Sequence, residues 1–248
     1  MLDTDRRLVF NDDHRLFRDQ VRKFFAAKLL PNLDRFEEEE IVDRQFWKDC
    51  GDAGLLCPTI PVEYGGLGLD FGYNAIVDEE IAYAGSPAGI SLQSDIVADY
   101  LLHYGSEEIK RDWLPQMVSG NAISAIAMTE PGGGSDLQGM RTTARREDDQ
   151  YIISGSKTYI TNGQNADIVV VAAKTDPTLG AKGVSLILVE ATREGFACGR
   201  NLDKIGQHSA DTSELFFNEV RVPVGNLLGS EGRGFGYMMD QLPQERPS

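Results

Sequence analysis

Four short stretches of this chain combine residue types that could do chemistry. Thr129-Glu130-Pro131-Gly132-Gly133-Gly134-Ser135 sets a proline and three glycines between two hydroxyl residues. Such a turn carries almost no side-chain bulk, so its N–H groups can approach a ligand closely, with Thr129 and Ser135 as added donors. An ordinary hairpin turn has the same composition. In Lys157-Thr158-Tyr159-Ile160-Thr161-Asn162-Gly163 the strand period of two puts Tyr159 and Thr161 on one face. Alternation alone makes both of them plain sheet residues. Near the end, Leu242-Pro243-Gln244-Glu245-Arg246 places a carboxylate on a helical run. That carboxylate is either a solvated partner of Arg246 or a proton-abstracting base. Lys182, in a turn before an apolar strand, is either a surface lysine or a phosphate contact.

The remaining composition narrows the choices. At 248 residues with 41% apolar side chains, the chain can hold one large or two modest packed domains. A net charge of −15 opposes nucleic acid and anionic membrane as partners, because phosphates would be repelled. A ligand with a few phosphates needs only local cations. No apolar run reaches the ~20 residues that span a bilayer. The N-terminus has no apolar signal region and is too acidic for an ordinary mitochondrial transit peptide, so a cytoplasmic location is expected. Cys50, Cys57 and Cys198 are widely spaced and lack histidines at ligand spacing, so three reduced thiols and no metal site are expected.

The elements that must position these residues change type midway. Phe17, Val21, Phe24 and Phe25 form a helical stripe that Asn11 or Asp12 could cap. Helices are expected over 45–53, 73–84 and 90–104, with a proline- and glycine-rich loop over 58–69. Ser106 before Glu107 and Glu108 reads as an N-cap, and Gly120 ends that helix. From residue 122 the pattern becomes short β-branched runs at 151–153, 158–161, 168–173, 184–189 and 215–222. Turn residues separate them at Ser154-Gly155, Asn162-Gly163, Asp176-Pro177 and Gly180. After a flexible link at 229–234, helical spacing returns with Phe235, Met238, Met239 and Leu242 on one face. The expected class is α+β: an all-helical unit (1–120), an antiparallel sheet or barrel (121–230) and the start of a further helix (231–248). No strand-helix alternation or dinucleotide-binding glycine fingerprint is present, which argues against a Rossmann site.

Taken together, the order and separation of these motifs resemble the acyl-CoA dehydrogenases from the N-terminal helices to Arg246. Leu242-Pro243-Gln244-Glu245-Arg246 is most similar to the long-chain branch. The resemblance implies FAD as cofactor and α,β-dehydrogenation of an acyl-CoA thioester. Ile126, Ala127, Met128 and Thr129 would then border the flavin, and Gly134 would let the backbone approach it. Ser135 would reach both the flavin phosphate and the CoA pantetheine. Tyr159, where the family commonly has Trp, would pack on the ring beside Ile160, and Thr161 would hydrogen-bond near flavin N5. Glu245 would be the catalytic base. Pro243, Gln244, Arg246 and, less specifically, Lys182 would contact the substrate. Electron-transferring flavoprotein is the implied electron acceptor and a homotetramer the implied assembly. The family also has a C-terminal four-helix domain that completes the acyl pocket, and the chain ends three residues after Glu245. Activity of the polypeptide by itself is therefore not expected. The alternatives are a flavin monooxygenase or oxidase of the same fold, or a non-catalytic acyl-CoA-binding subunit of a split enzyme.

The chemistry explains the residue types. Loss of a proton from Cα and a hydride from Cβ needs a base within hydrogen-bond reach and fixed donors for the thioester oxygen. It also needs an electron sink, which a flavin supplies.

Overall fold

The computed structural model describes residues 7–86, 88–133 and 139–245. Helix α1 (Asp12–Lys28) starts at a capping box in which the Asn11 side chain accepts from the His14 N–H and His14 accepts from the Asn11 N–H. Its buried face, Arg18, Val21 and Phe25, packs on α4 (Phe71–Tyr83). Arg18 is 5% exposed and Glu80 4%, and they pair at 2.9 Å, so the charges buried between these helices are matched. Between them lie α2 (Leu33–Glu39), unforeseen because its seven residues carry four acids, and α3 (Arg44–Asp52), capped by Asp43. Helix α5 (Ala98–Tyr104) follows a π turn at Leu92–Val97, and α6 (Glu107–Val118) is capped by Ser106 as expected.

Among the described residues, the β region is one sheet of eight strands: β1 (Ser124–Ala127), β2 (Thr143–Glu147), β3 (Gln150–Thr161), β4 (Ile168–Lys174), β5 (Val184–Glu190), β6 (Phe196–Asn201), β7 (Thr212–Pro223) and β8 (Leu227–Leu228). The order is β6-β7-β3-β2-β4-β5-β8, with β1 beside β4. The sheet is mixed rather than purely antiparallel. β1 runs parallel to β4 along four residue pairs and β2 parallel to β4 at Thr143–Lys174, because β3 runs back antiparallel to β2 before β4 begins. The path ends at β6 and β8, so the strands do not close into a barrel. Ser154-Gly155, expected as a turn, lies inside the continuous β3. The ladder with β7 slips there, and a Cβ on Gly155 would sit 2.4 Å from the Thr142 hydroxyl, so the sequence signal for a turn marks a bulge.

β4 explains why its run is apolar throughout. Ile168, Val170 and Ala172 pack against the helical core, while Val169, Val171 and Ala173 pack inside the sheet. Both faces are buried, so period-two alternation disappears. The last helix, α7 (Gly234–Glu245), lies on β5 and the π turn. A Cβ on Gly234 would come within 2.7 Å of the Ser185 carbonyl carbon, so glycine permits the close seating. The helix buries Gly234, Met238 and Gln241, whereas Met239 is 39% exposed, which corrects the expected Phe235/Met238/Met239/Leu242 face by part of a turn. Among the described residues, no helix is long and apolar enough to cross a membrane.

Candidate functional site

Two of the segments singled out from the sequence meet side by side. The Thr158 N–H donates to the Thr129 carbonyl at 3.0 Å, and Asn162 Nδ2 donates to the Ser124 carbonyl at 3.1 Å, so the end of β3 runs along β1 and its extension. Lys157, fully buried, donates from Nζ to the Met128 carbonyl at 2.9 Å and to Glu130 Oε1 at 3.0 Å. Glu130 also accepts from the N–H groups of Arg141 at 2.6 Å and Thr142 at 2.9 Å. This pair fixes the backbone of residues 128–130, and sequence reasoning missed it. The available signal was one acid and one base inside otherwise apolar or hydroxyl-bearing stretches.

The two charges do not gain equally. Burial pushes the Glu130 carboxyl up, but donors at Thr142 and the Arg141 N–H, with the charge of Lys157, outweigh it and hold the carboxyl below its usual range. Burial lowers Lys157 by more than the charge and hydrogen bond of Glu130 restore. The carboxylate, with three donors, is the favoured partner; the ammonium bears the desolvation cost.

Around this anchor, the expected residues divide. Met128, Thr129 and Thr161 are half-buried, and Tyr159 is 69% exposed. Tyr159 has φ +59°, a left-handed conformation that costs an aromatic residue about 1–2 kcal/mol and is worth noting at a candidate site. The ladder slips between Lys157 and Ile160, so strict alternation does not place Tyr159; the irregularity does. Ala127 and Ile160 are buried in the sheet core, so only their backbone can meet a ligand. Ile126 packs toward the helices. Gly134, Ser135 and Arg246 lie outside the described residues.

Glu245, on the last turn of α7, is half-buried and accepts a hydrogen bond from the Tyr100 hydroxyl at 2.6 Å. Gln244 Nε2 donates to the Asp95 carbonyl at 3.3 Å, and Pro243 and Gln244 line a cleft of about 620 Å³ with Phe71, Asp99, His103, Asp240 and Gln241. The π turn joins this helix to β1: Asp95 meets Gln244, while Gln93 Oε1 accepts from the Ser124 N–H at 2.9 Å. Within the turn Asp95 is 1% exposed and accepts from Asn74 Nδ2 at 2.5 Å. Burial, then a hydrogen bond and the charge of Asp78, push Asp95 up to about 9, so this carboxyl is protonated at neutral pH. Lys182 lies elsewhere, in a second cleft of about 690 Å³ with Arg233, Glu231 and the start of α7. The Glu231 carboxylate there accepts from the Tyr151 hydroxyl at 2.9 Å. Arg233 escaped the sequence reading because a glycine-flanked arginine in a linker carries no local signal. Cys50, Cys57 and Cys198 are free thiols. Glu40, Asp203 and His208 form one surface group of possible metal ligands, beside the ammonium of Lys204.

Two independent stretches of sequence decide the family. Residues 11–121 match the acyl-CoA dehydrogenase N-terminal domain and residues 125–220 the acyl-CoA dehydrogenase middle domain. The chain belongs to the acyl-CoA dehydrogenase family. It is 48% identical over 243 residues to the pig (Sus scrofa) long-chain specific acyl-CoA dehydrogenase, mitochondrial, covering 97% of this chain and 56% of that protein. Its fold matches the crystal structure of an acyl-CoA dehydrogenase from Geobacillus kaustophilus with a TM-score of 0.94 at 48% identity, over 96% of this chain and 64% of that one. A glutaryl-CoA dehydrogenase from Mycobacterium smegmatis, solved in complex with FADH2, matches with a TM-score of 0.88 at 32% identity over 98% of this chain and 61% of that one. The chain thus spans a little over half the length of its curated relative.

Proposed function

We propose that this chain carries the flavin-facing wall and the catalytic base of an FAD-dependent acyl-CoA dehydrogenase. The supporting observation is the π turn, which ties the β1 segment leading to Thr129 and the Glu245 end of α7 to one rigid element. The residues present fit a flavin: the Tyr159 ring is exposed, Thr129 and Thr161 are half-buried, and the Thr158 N–H bonds the Thr129 carbonyl on backbone that Lys157 and Glu130 hold in place. Bound there, FAD would supply the acceptor for the hydride leaving Cβ. Glu245 takes the proton from Cα, and the C–H electron pairs end as the 2,3-double bond and the transferred hydride. Thr129 and Thr161 orient the ring by hydrogen bonds. Gln244 and Pro243 border the acyl cleft, and Lys182 with Arg233 offers two cations to the CoA phosphates. Electron-transferring flavoprotein as acceptor, a tetrameric assembly and a cytoplasmic location belong to the same reading, as do units at 1–120, 121–230 and 231–248.

The test is rapid-mixing reduction of FAD by a series of saturated acyl-CoA thioesters, with the family's C-terminal four-helix domain supplied to this chain. Glu245→Gln keeps the side chain's size but removes its basicity, and reduction is expected to slow by at least ~10². Reduction at the parental rate moves the base elsewhere. Product formation that requires oxygen would favour a monooxygenase or oxidase instead.

A further inference from the structure

The contact between α5 and α7 does more than pack two helices. α5 presents Tyr100 and Tyr104, four residues apart, and α7 presents Tyr237, Gln241 and Glu245 at the same interval. Tyr104 stacks on Tyr237 with ring centroids 4.0 Å apart, and its carbonyl accepts from the Gly229 N–H at 2.7 Å in the link that leads into α7. Tyr100 meets Glu245 at the other end. The π turn sets this register: the Ala98 N–H bonds the Gln93 carbonyl five residues back, and the extra residue in that turn rotates α5 relative to the segment that binds β1.

The Tyr100–Glu245 distance of 2.6 Å falls in the range of hydrogen bonds from a hydroxyl to an ionised carboxylate. Tyr100 is fully buried, and burial followed by the hydrogen bond to Glu245 raises its phenol well above the ordinary tyrosine range. It therefore stays protonated and donates to the Glu245 carboxylate. We propose that Tyr100 is the positioning residue of the base: its hydroxyl, donated from α5, aims the Glu245 carboxylate on α7 and favours its ionised form in the resting site. This rests on Glu245 being the base. A donor held this close lowers the carboxylate's basicity in the resting site.

The test is carboxyl ¹³C NMR titration of this chain labelled at glutamate, with the Glu245 signal identified by its loss in Glu245→Gln. Tyr100→Phe removes only the hydroxyl, and the Glu245 midpoint is expected to move to higher pH. Difluorotyrosine at position 100, a stronger donor of nearly the same shape, is expected to move it to lower pH and serves if Tyr100→Phe folds poorly. Tyr104→Phe, which alters the same helix contact without touching Glu245, should leave the midpoint in place. An unmoved midpoint in both position-100 variants overturns the proposal. A shifted midpoint accompanied by parental flavin reduction in Glu245→Gln keeps the Tyr100 pairing and refutes the base assignment, so the two claims fail separately.

Discussion

Replacing Lys157 by Met tests whether the buried ion pair holds the flavin-facing segment. Lys157 is fully buried and Glu130 is 8% exposed, and the pair is separated by 3.0 Å. Methionine fills similar volume but leaves the Glu130 carboxylate without its counter-charge. Breaking a buried pair on one side costs roughly 3–5 kcal/mol. Glu130 keeps the N–H donors of Arg141 and Thr142, so the lower end, about 3 kcal/mol, is expected. For a chain of this size that corresponds to a melting temperature about 6–12 °C lower. Adding Glu130→Gln removes the stranded charge, and the double variant should regain most of the loss. The pH dependence carries a sign. A carboxyl lowered in the fold contributes stability above its ordinary value of 4.5, and that contribution disappears as pH falls through the lower folded value. Calorimetry and urea unfolding of the parent and the two variants, each between about pH 3 and 8, measure both effects. A Lys157→Met protein within about 0.5 kcal/mol of the parent, the range of ordinary surface changes, would refute the reasoning. So would a double variant no better than the single one.

Two further outcomes are expected. Asp95 is protonated in the folded chain and ionised in the unfolded one between its ordinary 3.8 and about 9. The fold therefore binds more protons across that window, and stability falls as pH rises, by at most about 1.4 kcal/mol per pH unit for one proton; Asp95→Asn should flatten that slope and exceed the parent's stability at pH 8, and parallel urea-unfolding slopes would count against it. Lys182→Ala with Arg233→Ala should raise the KM for acyl-CoA, most at low salt, with kcat little changed, because both act on a part of the substrate remote from the reacting carbons; a KM unchanged at every ionic strength removes them from the CoA site.

Much of this protein was legible before folding. Asn11 and Ser106 announce helix starts because a cap is a local contact between a side chain and an N–H two or three residues on. The runs at 168–173 and 184–189 read as strands because burial on both faces leaves β-branched and aliphatic side chains throughout, Ser185 apart. The bulge at Gly155 and the left-handed Tyr159 were not legible. Both depend on where the β7 ladder slips, and that depends on a partner strand some sixty residues away in the numbering of the register.

The sequence by itself determined which residue types could do chemistry: hydroxyls beside a glycine turn, an aromatic and a threonine on one strand, and a carboxylate at the end of an apolar helix. Those types follow from local composition and from the resemblance they carry. Tertiary structure alone decided what surrounds them. It brought Lys157 to Glu130, Tyr100 to Glu245 and Asp95 to Asn74, pairs whose members are 27, 145 and 21 residues apart. Such pairs have no local signature, since a buried polar group finds its partner only when packing has excluded water from both.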